Sequence, residues 1–468
     1  MIEIDPKLFR ELDIRGVADP SSSYCLKDDD CAYSVKITPE IVTVIGKAIA
    51  QAIKPEKVVL GYDARNTSPK LSESIKNALL ESGVDVSVIG LCATDQVYFA
   101  VGYYKYDLGL MITASHAEKI LNGIKIAKYK DGKVMPVAKG SGMEEIKELA
   151  IAQNFEQLDR HGMEQQIDIG DDYQKYILKH FDINSFKSLN IVFDAGNGVA
   201  GVAYDDIINL LPITANRLNF KPDGDFPSHE PDPMIEANIE QVKKEITDRR
   251  ADFGVAWDGD ADRIAIISKK LGVLTGSHIA PVLLDWVMKR HPHATVIDTP
   301  PMTLAFHEKI KKLNGKVEYS RVGNSNIKIK MEEFNSPFAA EEADHFMFEE
   351  TYSCESGILP LLIIIEAISN TEKTLEELVE ESLDGVKISG DINIEVADKH
   401  KALMRLENEY LAPGNTILHS DGLFVKNDLF HFNIRASLND PVMRLNIESK
   451  SEAVMKHEEE NIRKIIET

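Results

Sequence analysis

The chain has little of what marks several large protein classes. Its 468 residues include only four cysteines and no C-x-x-C pair, which excludes a disulfide framework and fits a reducing compartment. Cys25 and Cys31 flank "LKDDD" and read as loop cysteines, not as metal ligands. No apolar run approaches the roughly 18 residues of a membrane span; the longest, "ILPLLIIIEAI", suits a buried helix. The opening "MIEIDPKLFRELDIRG" is acidic and interrupted by Pro6, unlike a signal or transit peptide. A cytoplasmic protein with no membrane partner is expected. Basic residues are outnumbered, 53 Lys and Arg against 76 Asp and Glu, for a formal charge of −23. That surplus keeps a chain soluble and argues against nucleic acid as a partner. An anionic small substrate then requires local convergence of Arg and Lys. Neither G-x-S-x-G nor a Walker-type G-x-x-x-x-G-K-[ST] occurs, so neither an α/β-hydrolase nucleophile nor a P-loop is supported.

What is present is a repeated rhythm of β-branched strand, glycine-bearing turn and amphipathic helix. "KVVLGYDARNTSP" leads into "KLSESIKNALLESG" and "DVSVIGL"; "SLNIVFDAGNGVAG" leads into "VAYDDIINLL" and "ADFGVAWDGDADRIAIIS". A third segment begins at "HIAPVLLDWVMKRH" and runs through "ATVIDTPPMTLAFHEKIKKL" to "KVEYSRVGNSNIKIKMEEF". Strands alternating with helices predict βαβ units and mixed, mostly parallel sheets. From about residue 385 the pattern changes to "KISGDINIEV", "HKALMRLENEYL", "LFVKNDLFHFNIRAS" and "VMRLNIES", antiparallel strands with helices. The fold class is therefore α/β: three consecutive α/β domains (1–160, 161–272 and 273–384) and a C-terminal α+β domain (385–468). Polar stretches near 155–170 and 371–382 are expected connections.

Three motifs carry candidate chemistry. "WDGDADR" spaces Asp258, Asp260 and Asp262 by two between apolar runs. Carboxylates this close repel and call for a cation or a strongly polar turn. Hard oxygen donors suit Mg²⁺ or Ca²⁺. An EF-hand needs Gly and Glu where Arg263 and Lys269 stand, so that reading fails. Arg263 is placed to hold a phosphate that completes a Mg²⁺ shell. "AGNGVAG" has G-x-G-x-x-G spacing without a well-placed acid after it, and reads as a packing turn ahead of a dinucleotide site. "ITASHAEKILNGIKI" follows the buried-strand run "LGLMI", where open α/β sheets place ligands. On its own, Ser115 reads as a helix cap, with Glu118 completing a capping box at a phosphate-favouring N-terminus. "IRASLNDPVMR" sets Arg435 and Ser437 at a strand-to-turn junction, a phosphate cradle or a plain surface turn.

Taken in order, these segments resemble the α-D-phosphohexomutase family over nearly the whole chain. "FRELDIRG" is similar to FRxYDIRG, "GYDARNTSP" to GxDxRxSxP, and "DGDADR" to the metal loop DGDGDR. "TASHAEKILNGIKI" is similar to TASHNPxxxNGxKI, the active-serine loop, without a gap, and "DAGNGVAG" and "DGDFPSHEPDP" to second-domain motifs. The resemblance implies four domains around a central cleft and a monomer or homodimer. It implies that Ser115 carries a phosphoryl group, and that Mg²⁺ is held by Asp258, Asp260 and Asp262 together with Ser115. His116, Lys125 and Arg15 would assist at the serine, and a bisphosphorylated hexose would act as activator. Arg263, Asn324, Glu341, His345, Arg435, Ser437 and Asn439 would bind the hexose phosphate. The departures cluster in recognition loops. GExSGH appears as "AEEADH", with Ala343 and Asp344 for Ser and Gly; TGHS appears as "VGNS", with Asn324 for His. The phosphate loop gains Asp440, Ala117-Glu118 replaces Asn-Pro, and Leu12 replaces a tyrosine. The expected activity is phosphoryl transfer between the 1- and 6-positions of a hexose phosphate. A weakly active phosphosugar-binding homologue and a Mg²⁺-dependent sugar phosphatase remain as alternatives.

Overall fold

The computed structural model describes residues 2–19, 35–156, 159–299, 302–389, 392–396, 398–419, 422–436 and 442–467. Ser437, Asn439, Asp440, Cys25 and Cys31 lie outside the described residues. The chain divides into two compact units, Met1–Val273 with Met347–Thr371, and Leu274–Phe346 with Glu372–Thr468.

The first unit holds two mixed sheets. In the larger, Lys57–Tyr62 is central and pairs in parallel with Asp85–Leu91 and Leu108–Ile112. Leu108–Ile112 then pairs antiparallel with Leu121–Lys130, which pairs antiparallel with Ile14–Val17. The period of two decides what faces what. Ile14 and Ile124 are partners and fully buried in the core with Ile126, while Arg15, paired with Gly123, shares the other face with Lys125. Gly123 is required there: a Cβ would stand 2.2 Å from the Ile14 carbonyl oxygen. The second, five-stranded sheet runs Gly272–Leu274, Ile264–Ser268, Phe253–Trp257, Asn190–Asp194, Thr214–Leu218; Ile264–Ser268 and Phe253–Trp257 are antiparallel and the two pairs after them parallel. Its glycine turn is explained by packing, since a Cβ on Gly201 would meet the Phe220 carbonyl oxygen at 2.1 Å. The helix expected over "VAYDDIINLL" forms as two short pieces, Ala200–Ala203 and Asp205–Leu210. "ILPLLIIIEAI" does form a buried helix, Leu359–Ser369.

In the second unit, Thr295–Asp298 pairs in parallel with Lys316–Tyr319 and Phe338–Ala340. The C-terminal sheet is antiparallel throughout its described pairs, centred on Phe430–Ala436 and Val442–Ser449, and the helices Lys399–Tyr410 and Glu452–Glu467 accompany it. Glu448, fully buried, joins this sheet to the preceding α/β segment. It accepts from Thr303 Oγ1 and from Leu304 N (2.9 Å), capping the helix Leu304–Lys312. The polar stretch 371–382 is not merely a connection. Thr374 and Glu377 form a reciprocal capping box, and the helix Leu375–Leu383 follows. Among the described residues no helix is long and apolar enough to cross a membrane.

Candidate active site

Ser115 does not begin a helix. The segment after it turns directly into the strand Leu121–Lys130, and Ser115 sits in the left-handed region with φ +54°. The Ser-x-x-Glu pattern that suggested a cap is overridden by the antiparallel pairing on either side of the turn. The serine itself is 3% exposed, although Glu118 and Lys119 farther along the same loop are exposed.

That loop is held from beneath by Arg65, a residue the motif reading quoted but gave no role. Its guanidinium is fully buried and donates to four loop carbonyls: Ser115 (2.7 Å), Ala117 (2.7 Å), Glu118 (2.8 Å) and Leu121 (3.2 Å). Nε donates to Asp63 Oδ2 at 3.0 Å. Asp63 also accepts from Ser68 Oγ (2.5 Å) and Thr113 Oγ1 (2.7 Å), and Thr113 Oγ1 in turn accepts from Ser115 N (2.8 Å). Burial pushes the Asp63 carboxyl up despite Arg65 and the two hydroxyls, and pulls the Arg65 guanidinium down. Arg65 reaches Ala117 and Glu118 through their backbone carbonyls, so these two bonds do not depend on the side chains at those positions.

Ser115 Oγ donates to Asp258 Oδ2 at 2.9 Å and lies 3.3 Å from His116 Nδ1. Asp258, Asp260 and Asp262 are each fully buried, between the strands Phe253–Trp257 and Ile264–Ser268, and offer carboxylate oxygens within 4.8 Å of one another. Lys125 Nζ donates to Asp260 Oδ2 (2.6 Å) and Asp262 Oδ2 (2.5 Å). Arg263 N donates to Asp258 Oδ1 at 3.2 Å, with its Nε 4.0 Å from Asp258 Oδ2. Burial and the two neighbouring carboxylates raise the Asp258 carboxyl well above the usual range, against Arg263 and Lys125. Burial alone would pull the Lys125 ammonium down, but the three carboxylates outweigh it and hold Lys125 above the ordinary lysine value. Arg15, on the adjoining strand Ile14–Val17, pairs with Asp13 immediately before it. Asp260 Oδ1 is buried with no hydrogen-bond partner among the described residues. A set of hard oxygen donors that includes a buried oxygen without a hydrogen-bond partner fits a divalent cation.

In the second unit, Glu341 and His345 meet: His345 Nδ1 lies 3.0 Å from Glu341 Oε2, and Gly323 N donates to Glu341 Oε1 at 2.8 Å. Gly323 precedes Asn324, the first residue of the helix Asn324–Glu333, so the two loops are tied at the carboxylate. Arg435 lies on Phe430–Ala436, opposite Arg444.

Family profiles match in the same order as these elements. Phosphoglucomutase/phosphomannomutase alpha/beta/alpha domain I matches residues 7–155, domain II residues 171–272 and domain III residues 275–385. The chain belongs to the phosphoglucomutase/phosphomannomutase family. A phosphomannomutase of Salmonella typhimurium is 31% identical over 424 residues, 89% of this chain and 92% of that protein. A phosphohexose mutase of Xanthomonas campestris is 30% identical over 420 residues, 90% and 93% of the two chains. A solved family protein from Burkholderia thailandensis shares the fold with a TM-score of 0.82 at 23% identity, covering 99% of this chain and 97% of its own. By family, this protein is a phosphohexomutase, an isomerase.

Two of its departures from the phosphohexomutase motifs fall where glycine's freedom matters. Ala261, in the glycine position of DGDGDR, has φ +59°, and Asp344, in the second glycine position of GExSGH, has φ +62°. Both loops keep the left-handed backbone without the residue that adopts it at least cost. Ala261 is held there by a carbonyl contact, 2.7 Å from the Tyr204 hydroxyl, which is also 2.9 Å from Asp95 Oδ2. Burial lifts the Asp95 carboxyl to about 7, against hydrogen bonds from Tyr173, Tyr204 and Ser356. Relief of strain at a compatible site gives an expected outcome: Ala261→Gly stabilises the protein by about 1 kcal/mol in denaturant unfolding. A destabilised variant contradicts the strain.

Proposed function

We propose that this protein moves a phosphoryl group between the 1- and 6-positions of a hexose phosphate through a phosphoserine at Ser115 and a bisphosphosugar intermediate. The observation that carries the reading is the meeting of Ser115 Oγ with Asp258 Oδ2, at 2.9 Å, beside two further buried aspartates. When the hydroxyl accepts a phosphoryl group it must lose its proton. Asp258 Oδ2 and His116 Nδ1 are the side-chain atoms seen touching Ser115 Oγ, and either can take that proton. Lys125, held protonated by carboxylates, is better suited to steadying the phosphoryl oxygens than to acting as a base, and Arg15 shares its sheet face. Asp258, Asp260 and Asp262 would hold Mg²⁺ together with Ser115. Bound there, Mg²⁺ neutralises charge on the transferring group. The reaction otherwise demands positioning above all, which the Arg65-held loop supplies.

Arg263, Asn324, Glu341, His345 and Arg435 would grip the substrate, with Ser437 and Asn439 completing the phosphate loop. Support for the sugar side is the Glu341–His345 pair tied to the Asn324 turn. We keep the four-domain division at 160, 272 and 384, a cytoplasmic location and a bisphosphorylated hexose activator as parts of the same reading. The test is isomerisation of mannose or glucose 1-phosphate, primed with the corresponding 1,6-bisphosphate and Mg²⁺. Isomerised product supports the reading; release of inorganic phosphate without it indicates a phosphatase. Asp260→Asn removes one of three anionic ligands, so Mg²⁺ binding is expected to weaken and turnover to fall at least tenfold, roughly 1.4 kcal/mol. Turnover indifferent to both this substitution and a chelator contradicts the metal assignment.

A further inference from the structure

Asp260, in the buried triad, is held asymmetrically. Its Oδ2 accepts both Lys125 Nζ, at 2.6 Å, and Thr94 Oγ1, while its Oδ1 is buried with no partner among the described residues. One edge is saturated and the other is open. Thr94 is itself fully buried, in neither the aspartate loop nor the serine loop, as the first residue of the helix Thr94–Tyr104. Its backbone is tied to the same residue, Thr94 N donating to the Asp260 carbonyl at 3.0 Å. Two bonds from one residue therefore fix both the backbone and the side chain of Asp260. Helix Thr94–Tyr104 packs against Leu108–Ile112, the strand that leads into the serine loop, so one rigid element registers the aspartate loop against the serine.

We propose that Thr94 is a positioning residue for the divalent cation. With Lys125 it clamps Asp260 Oδ2 so that Oδ1 is the oxygen offered to the metal. Hydrogen bonds to the far side of a ligating carboxylate fix its rotamer before the ion arrives, and losing one typically costs 10- to 100-fold in metal affinity. The inference rests on the reading of Asp258, Asp260 and Asp262 as the metal site.

The test is Mn²⁺ binding by the full-length protein, followed by electron paramagnetic resonance or calorimetry without substrate. Wild type is compared with Thr94→Val, Thr94→Ser and Asp260→Asn, each also melted free of metal. Thr94→Val keeps the shape and the backbone bond but removes the hydroxyl; Thr94→Ala carries the same test if valine's second methyl prevents folding. The expected result is a loss of roughly tenfold or more in Mn²⁺ affinity for Val or Ala, near wild-type affinity for Ser, and little change in metal-free melting. Unchanged affinity in the hydroxyl-less variants overturns the inference, as does a loss that serine fails to rescue, or a lower melting temperature with affinity intact. If wild type binds no Mn²⁺, or Asp260→Asn binds it equally well, the metal reading itself fails and takes this inference with it.

Discussion

Ser115→Ala lowers hexose-phosphate isomerisation by about a thousandfold or more, equivalent to roughly 4 kcal/mol of barrier, and leaves the chain folded. The size of the loss follows from the proposed role: without an Oγ there is no atom to carry the phosphoryl group. Folding survives because the side chain contributes little to the loop. Ser115 Oγ meets Asp258 and His116, whereas the backbone anchors, Ser115 N to Thr113 and Ser115 O from Arg65, remain. Alanine also tolerates the left-handed conformation in this protein, as Ala261 demonstrates. Steady-state kinetics with a bisphosphosugar primer, beside circular dichroism and a thermal melt, make the comparison. Turnover within tenfold of wild type contradicts the carrier role.

Arg65→Met has the second large expected effect, and it falls first on stability. Removing one partner of a buried ion pair leaves the other charge uncompensated, at a cost of about 3–5 kcal/mol. Here Asp63 would keep its hydroxyl partners but lose the cation, and four carbonyls of the serine loop would lose their donor. Arg65→Lys is expected to recover only part of this, because an ammonium cannot span the carbonyls that a planar fork reaches. Turnover falls in both variants as Ser115 loses its fixed position. Chemical denaturation checks the stability term, and a loss below about 1 kcal/mol for Arg65→Met contradicts the structural role given to the guanidinium.

How much of this was legible in the sequence depends on the range over which each feature is determined. The alternation in "NGIKI" determines which side chains of Leu121–Lys130 face the core and which face the site, and Arg15 follows from the same period on its partner strand. The spacing of the three aspartates between apolar runs likewise marked an acidic turn between two strands, because spacing is a local property, whereas its complete burial was not read from the sequence. Ser115 was harder. Ser-x-x-Glu satisfies the local rule for a helix start, but the segment lies between two strands that pair with each other, and that pairing decides its backbone. The polar stretch after 371 erred in the opposite sense, since its Thr374–Glu377 box does nucleate a helix.

Arg65 and Thr94 were out of reach for a different reason. Arg65 acts on a carbonyl 50 residues away, and Thr94 acts on a carboxylate 166 residues away. No periodicity encodes such pairings. Their local traces are slight: Arg65 fills the arginine of GxDxRxSxP, which says nothing of its partners, and Thr94 is a polar side chain after the apolar run "VSVIGLCA". Such a side chain goes into the interior only when it has partners waiting. The motif departures show the converse. Ala261 and Asp344 look like losses when set against family glycines, yet both keep the left-handed backbone.

Whether Ser115 carries the phosphoryl group is read off by intact-mass measurement. Purified protein is treated with phosphatase, then incubated with glucose 1,6-bisphosphate and Mg²⁺, and weighed before and after. The expected result is a gain of one phosphoryl group, mapped by peptide fragmentation to Ser115 and absent from Ser115→Ala. Acquisition of the same mass by the alanine variant, or no gain in a wild-type sample that isomerises hexose phosphate, contradicts it.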